Sequence, residues 1–216
     1  MILIGQYDSP YVRRVGIAMT HYGLAFEHRP WSTFGDADRI AEFNPVSRVP
    51  TLVLDDGAVV IDSAYALDWL DERARAEGRE ALIPAQGPDR RQGLYDIALA
   101  TGMSDKVIAL FYEAVLHDPT SPVWLERCRT QVRRSLDVLE ERRASVESDW
   151  ISGKGPSHAD IALGCGLRHA REALTSAMLP GLNWAEWPAL AAHSARSEAL
   201  ENFQAIYQPF TGPSGE

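Results

Sequence analysis

Two β-rich runs, residues 51–54 and 58–61, meet at Asp56-Gly57. Both central positions of a tight hairpin turn need positive φ, which Asp and Gly supply at low cost, so the pair predicts two antiparallel strands. Ser63 follows at once and opens a helical pattern through Ala64, Leu67, Leu70 and Ala74. Upstream, Ile2, Leu3 and Ile4 read as a short buried strand. After Pro10, Val12, Val15, Met19 and Tyr22 recur at spacings of three and four, as on one face of a helix. Gly23 is placed to stop that helix as its C′ residue. Residues 25–31 read as a second strand, with Pro30 marking an edge or an end. A weak helical stretch covers residues 36–42. The order is β-α-β, a link, then β-β-α, which makes a mixed four-stranded sheet.

Beyond this point strand patterns vanish. Residues 76–89 are rich in Gly, Pro, Glu and Arg and read as a linker, centred on 79–88. Residues 90–116, 123–146 and 159–178 suit long helices, and a further one begins near Pro188. The expected organisation is an α/β domain over 1–78 and an all-α domain over 89–216, with the terminal TGPSGE disordered.

Composition narrows the function. The 216 residues are 45% hydrophobic and 24% charged, ordinary for a soluble globular protein. A net charge of −9 argues against a nucleic-acid partner, because an acidic surface repels phosphate. No signal peptide pattern and no apolar run of transmembrane length is present, so a cytoplasmic protein without a membrane partner is expected. The two cysteines, Cys128 and Cys165, form no CxxC pair, and the six histidines show no metal-ligand spacing, so no metal is expected. Cys165 sits in an apolar helix and reads as inert core. Gly153-Lys154-Gly155 lacks the flanking residues of a phosphate loop.

Three junctions invite a ligand. Ser9-Pro10 opens the first helix; Ser at N-cap and Pro at N1 serve the backbone alone, but the hydroxyl can also donate to an anion at the positive helix end. Val49-Pro50 leads into the third strand. A trans bond is the general expectation; a cis bond would turn the Val49 main chain outward, ready to pair with an extended peptide. Asp62-Ser63 opens the third helix, where Ser63 caps it or captures a carboxylate and Asp62 pairs with an ammonium. An acid beside an anion trap suits the end of an α-amino acid.

The β-α-β then β-β-α order with Pro50 before the third strand resembles a thioredoxin fold. Followed by an all-α half, the whole chain resembles the cytosolic glutathione transferases. The residues that carry the resemblance are Ser9-Pro10-Tyr11 with Arg13, Arg48-Val49-Pro50, Asp62-Ser63, and a Ser157-x-x-Asp160 helix-start box. The resemblance implies glutathione as co-substrate. Ser9 would donate to its sulfur, Val49 would pair with its cysteinyl part with Pro50 cis, and Asp62 and Ser63 would hold its γ-glutamyl end. Arg48 would reach the glycyl carboxylate or lie at the rim. Tyr7 is a rival to Ser9, since some classes use a tyrosine near this strand end. Many relatives carry Glu where this chain has Asp62, a shorter arm with the same charge. Serine in place of cysteine at position 9 excludes a mixed disulfide and favours conjugation or isomerisation over reductase chemistry.

The implied activity is a glutathione transferase that conjugates the thiolate to an apolar electrophile, as in detoxification, and works as a homodimer. A non-catalytic glutathione-binding or carrier protein, or a glutathione-dependent isomerase or dehalogenase, is the alternative. Tyr11, Phe34, Met103, Phe111 and Tyr112 are candidates for the wall of the second-substrate pocket between the halves; each is equally a candidate for plain core packing.

Overall fold

The computed structural model describes residues 1–153 and 155–212. The last four residues of the TGPSGE segment, and Lys154 of the Gly-Lys-Gly stretch, lie outside them. The first elements are β1 (Ile2–Ile4), α1 (Pro10–His21), β2 (Glu27–Arg29), α2 (Ala37–Ala41), β3 (Thr51–Val53), β4 (Val59–Ile61) and α3 (Ser63–Ala76). They are followed by α4 (Gly87–Leu116), α5 (Pro122–Ala144), α6 (His158–Ala173), α7 (Pro188–Glu198) and α8 (Glu201–Ala205). No described helix is long and apolar enough to cross a membrane.

The sheet order is β2-β1-β3-β4, with β1 and β2 parallel and the other pairs antiparallel. The four-stranded mixed sheet expected from the hairpin is therefore present. β2 is an edge strand and stops one residue before Pro30, as a residue without an N–H requires. Leu3, Leu52 and Val60 stand opposite one another on one face, all buried, and Leu3 faces α1 at Gly16. The other face carries Ile4 and Val53, which pack with Ile40 of α2 and with Ile2, Trp31, Phe43 and Val49. Helix α1 ends as Gly23 takes φ 64° and the Leu24 N–H reaches back to the Met19 carbonyl at 3.0 Å, closing the last turn.

The chain divides into two compact units: Met1–Ala85 together with the stretch from Leu200 onward, and Gln86–Ala199. The sequence reading assigns everything after residue 89 to the helical half. The final stretch instead joins the first unit because Arg13 of α1, itself buried, donates to the carbonyls of Ile206 at 2.8 Å and Phe203 at 3.0 Å. Its guanidinium also lies over the Phe203 ring. Gly16 makes room for this packing, since a Cβ there would stand 2.9 Å from the Ile206 side chain.

The second unit is helical. Helices α4 and α6 approach closely at Gly166 of α6, where a Cβ would lie 2.7 Å from Ser104 Oγ and 3.0 Å from the Met103 methyl. Ser157 caps α6 and Asp160 completes the capping box, accepting from the Ser157 N–H at 2.9 Å. Helix α6 ends at Ala173, five residues short of 178, because Leu174 turns to extended backbone and Thr175 starts a separate turn to Met178 and Leu179.

Candidate active site

Register decides where the three junctions go. Ile4, Thr51 and Ile61 lie side by side across β1, β3 and β4. The chain leaves β1 just after Ile4, enters β3 just before Thr51 and leaves β4 just after Ile61. Ser9, Val49-Pro50 and Asp62-Ser63 therefore belong to segments that depart from one end of the sheet. Helices α1 and α3 both begin there, so both positive helix ends serve the same region.

Ser9 is the N-cap of α1, with Pro10 at its first position. Its hydroxyl accepts from the Val12 N–H at 3.5 Å, a long bond that leaves the O–H proton for another partner. The loop before it is tied from the C-terminal stretch. The Tyr7 N–H donates to Gln208 Oε1 at 3.2 Å, and the Thr211 N–H and hydroxyl both donate to Asp8 Oδ2 at 3.1 Å. Tyr7 itself turns inward. Its ring stacks on His28 at 3.7 Å and lies against α1 at Gly16. Burial pushes its phenol up to about 12 and lowers the His28 imidazole, which donates to the Gly5 carbonyl at 2.8 Å.

The Val49-Pro50 bond is cis. The segment is held by Asn44, a buried residue in FNPVSRVP that sequence reasoning passes over. Its amide donates to the Arg48 carbonyl at 2.9 Å and to Thr51 Oγ1 at 3.1 Å, and its carbonyl accepts the Val46 N–H at 3.0 Å. The Arg48 side chain is exposed. Gly5, at φ 127°, lets Val12 and Val49 meet over the end of β1. A Cβ there would stand 2.5 Å from the Val12 methyl and 2.7 Å from Val49 Cβ.

At α3 the cap is displaced by one residue from the sequence reading. Asp62 is the N-cap, not Ser63: Asp62 Oδ1 accepts the Ala64 N–H at 2.7 Å. Its φ of 71° is rare for a residue with a side chain, a strain of about 1–3 kcal/mol of the kind stored at functional sites. Ser63 becomes the first helical residue. It is 2% exposed, and its hydroxyl accepts from Arg14 Nη2 of α1 at 2.7 Å.

The five wall candidates separate. Phe34 and Tyr112 are exposed and Tyr11 is half-buried, with the Arg14 guanidinium over its ring at 5.8 Å. Phe111 is largely buried and ring-packed on Tyr112. Met103 is fully buried against α6 in the core of the helical unit, the packing role that its sequence reading held open beside the pocket wall.

Residues 3–78 match the family model described as glutathione S-transferase, N-terminal domain, and residues 122–196 match its C-terminal domain. A GST-like protein of Escherichia coli strain K12, YibF, is 30% identical over 65% of this chain and 68% of its own length. The chain belongs to the glutathione S-transferase family. A probable glutathione S-transferase of Zea mays, BZ2, is 27% identical over 96% of the chain and 93% of its own length. Among solved structures, a glutathione S-transferase from Methylobacterium radiotolerans, in complex with glutathione sulfonate, superposes with a TM-score of 0.87. It is 27% identical and covers 100% of this chain and 98% of its own. A second, from Methylobacillus flagellatus with GSH bound, has a TM-score of 0.83 at 25% identity and covers 95% and 98%. Within this glutathione S-transferase fold, the residues that sequence reasoning misses are Gly5, Arg14 and Asn44. A glycine directly after a strand carries a readable signal, that of close backbone approach; Arg14 and Asn44 carry none before their partners are brought near.

Proposed function

We propose that this chain is a glutathione transferase that binds glutathione at the sheet end where α1 and α3 begin. In this reading the main chain of Val49 pairs with the cysteinyl residue. Asp62 and Ser63 hold the γ-glutamyl end, Arg48 serves the glycyl end, and Ser9 donates its hydroxyl to the sulfur. The observation that carries the reading is the common departure of all three segments beside Ile4, Thr51 and Ile61. Ser9 is favoured over Tyr7 because its bond to Val12 is long, whereas the Tyr7 ring is stacked and turned into the domain. With Asp62 Oδ1 already capping α3, the short arm faces an ammonium through its second oxygen, which replaces the longer reach of a glutamate.

The chemistry needs a modest shift. A thiol of pKa about 8.5 is only a few per cent ionised at neutral pH, and the thiolate is the nucleophile. Lowering that value by about 2 units takes about 2.7 kcal/mol. One charge-assisted hydrogen bond is worth about 1.5–3 kcal/mol, and a helix N-terminus adds about 0.3–1 kcal/mol. Ser9 with α1 supplies about 1.8–4 kcal/mol, a range that brackets the requirement. The thiolate attacks an electrophilic carbon, the new S–C bond forms, and the leaving group departs with its electron pair. By the pattern of its family the protein acts in the cytoplasm as a homodimer.

The test is thiolate absorbance of bound glutathione, followed in the ultraviolet from about pH 5 to 9 around the free thiol value. Ionisation well below the free value supports the transferase reading. Binding without a shift supports a carrier. Ser9→Ala should keep binding and lower the conjugation rate about tenfold or more. An unchanged rate reduces Ser9 to a helix cap and turns attention to Tyr7.

A further inference from the structure

We propose that Asp8 and Gln208 are positioning residues: through them the C-terminal stretch holds the turn that delivers Ser9 and so aims the Ser9 hydroxyl at a bound thiolate. This rests on the reading of the site just given and deepens it with residues that touch no substrate. The Ser9 N–H donates to the Gln6 carbonyl at 3.2 Å, which makes residues 6–9 a turn with Tyr7 and Asp8 at its centre. Both central residues are held from the far end of the chain, 201 and 203 positions away. Gln208 Oε1 accepts the Tyr7 N–H at 3.2 Å, and Asp8 Oδ2 accepts from both the N–H and the hydroxyl of Thr211 at 3.1 Å.

The stretch that reaches this turn is itself anchored. Arg13, buried one helical turn beyond Ser9, donates to the carbonyls of Phe203 at 3.0 Å and Ile206 at 2.8 Å, and its own N–H donates to the Ser9 carbonyl at 3.0 Å. Residues on both sides of Ser9 are thus bonded to the same stretch, 203–211. Before the turn, Gly5 is pinned to the sheet edge: its N–H donates to the Arg29 carbonyl at 2.9 Å and its carbonyl accepts from His28 Nε2 at 2.8 Å. The turn hangs between Gly5 and α1, and Gln208 and Thr211 grip the part between them. Local capping aims Ser9 loosely, because its bond to the Val12 N–H is long, at 3.5 Å, and Pro10 has no N–H to add another. A hydrogen bond to a charged group weakens steeply with misalignment, so a small swing of this turn is felt first in thiolate stabilisation. It is felt least in holding the peptide part of glutathione, which Val49, Asp62 and Ser63 serve from other segments.

The probes are glutathione and S-methylglutathione, whose sulfur carries no proton and cannot become a thiolate. On the full chain, thiolate absorbance gives the pH at which bound glutathione ionises, and calorimetry gives the dissociation constant of S-methylglutathione. In Asp8→Ala combined with Gln208→Ala, bound glutathione should ionise about one pH unit nearer its free value, a tenfold loss of thiolate stabilisation. The sign is diagnostic. Asp8 is an anion, so its charge alone disfavours a nearby thiolate, and losing that charge alone would move the ionisation the other way. Asp8→Asn, which keeps an acceptor oxygen and loses the charge, should therefore ionise bound glutathione at or below the wild-type pH. The dissociation constant of S-methylglutathione should stay as in wild type throughout. In a Ser9→Ala background the double substitution should produce no rise. An ionisation that is unchanged or lowered in the double variant overturns the proposal, as does the same rise without Ser9 or a matching loss of S-methylglutathione affinity. If the double variant does not fold, Gln208→Ala alone carries the titration, with the same sign expected and the same outcomes overturning the proposal. Wild type that binds no glutathione, or binds it without lowering its ionisation, is seen before any substitution is made and overturns the transferase reading itself.

Discussion

Gly5→Ala replaces a hydrogen by a methyl at the point where three parts of the site converge. The added Cβ would lie 2.5 Å from Val12 Cγ2, 2.7 Å from Val49 Cβ and 3.0 Å from Val49 Cγ1. Ordinary carbon contacts are about 3.5–4.0 Å, so each neighbour must yield by about 1 Å. Val49 is approached at its Cβ, which moves only with the backbone, so relief must shift the segment leading into β3. Overpacking of this kind costs about 1–3 kcal/mol. The φ of 127° is closed to residues with a side chain and adds about 1–3 kcal/mol. The sum, about 2–6 kcal/mol, is a large part of an ordinary domain stability of about 5–15 kcal/mol. Gly57→Ala is the control: its φ is 86° and nothing lies within 4 Å of the added Cβ, so it reports the backbone cost alone, about 1–2 kcal/mol. Urea unfolding of wild type and both variants measures the difference. Calorimetry with glutathione then asks whether the Gly5→Ala fraction that folds binds more weakly than Gly57→Ala. Equal stability loss in the two variants, with equal affinity, would refute the claim that Gly5 seats Val49.

Asp160→Ala removes the acceptor for the N–H groups of Ile151 at 2.7 Å and Ser157 at 2.9 Å, and for the hydroxyls of Ser152 and Ser157. The buried Ile151 N–H left unmade costs about 1–3 kcal/mol, and the half-buried Ser157 N–H, which water can reach, costs less, so a loss above about 1 kcal/mol is expected in urea unfolding; a smaller loss would mean that water replaces the carboxylate. His193 of α7 is fully buried beside the Asp160 carbonyl, and burial lowers its imidazole, an effect that the nearby Asp160 carboxylate opposes. The unfolded chain then binds a proton that the folded chain refuses. The stabilising contribution is full above the ordinary value of 6.5 and is lost as pH falls from there toward the lowered folded value. In His193→Asn the slope of unfolding free energy against pH between about 6.5 and 5 should flatten, by at most about 1.4 kcal/mol per pH unit; an unchanged slope would assign the acid sensitivity to other groups.

Much of this fold is written in short-range chemistry. The hairpin forms where Asp56-Gly57 predicts it, but only Gly57 takes positive φ, at 86°, and its N–H donates to the Leu54 carbonyl at 3.1 Å, so one glycine rather than both residues supplies the left-handed position; β3 and β4 pair from Thr51–Ile61 to Val53–Val59 on either side. Ser157 and Asp160 close their capping box within one turn of helix. Ser9-Pro10 opens α1 where local rules put it, and Pro30 stops β2. In each case the interacting groups are at most a few residues apart, so residue type and spacing carry the information.

What the tertiary structure alone decided lies at long separation. Asp62 takes the cap from Ser63 because the chain leaving β4 reaches α3 at positive φ, and Ser63 then turns to Arg14 across 49 positions. Arg13 draws α8 and Ile206 back to α1 across 190 and 193 positions, which moves the final stretch into the first unit. Met103 reads equally as pocket wall or core until Gly166 of another helix packs on it. Residue types and helical periods name a face; which face meets which partner depends on register and on steric room at glycines. Both are properties of the assembled domain. The sequence alone determined the elements, their order and the three junctions proposed as the site, and the folded sheet determined that these junctions share one end and that Arg14 stands behind one of them.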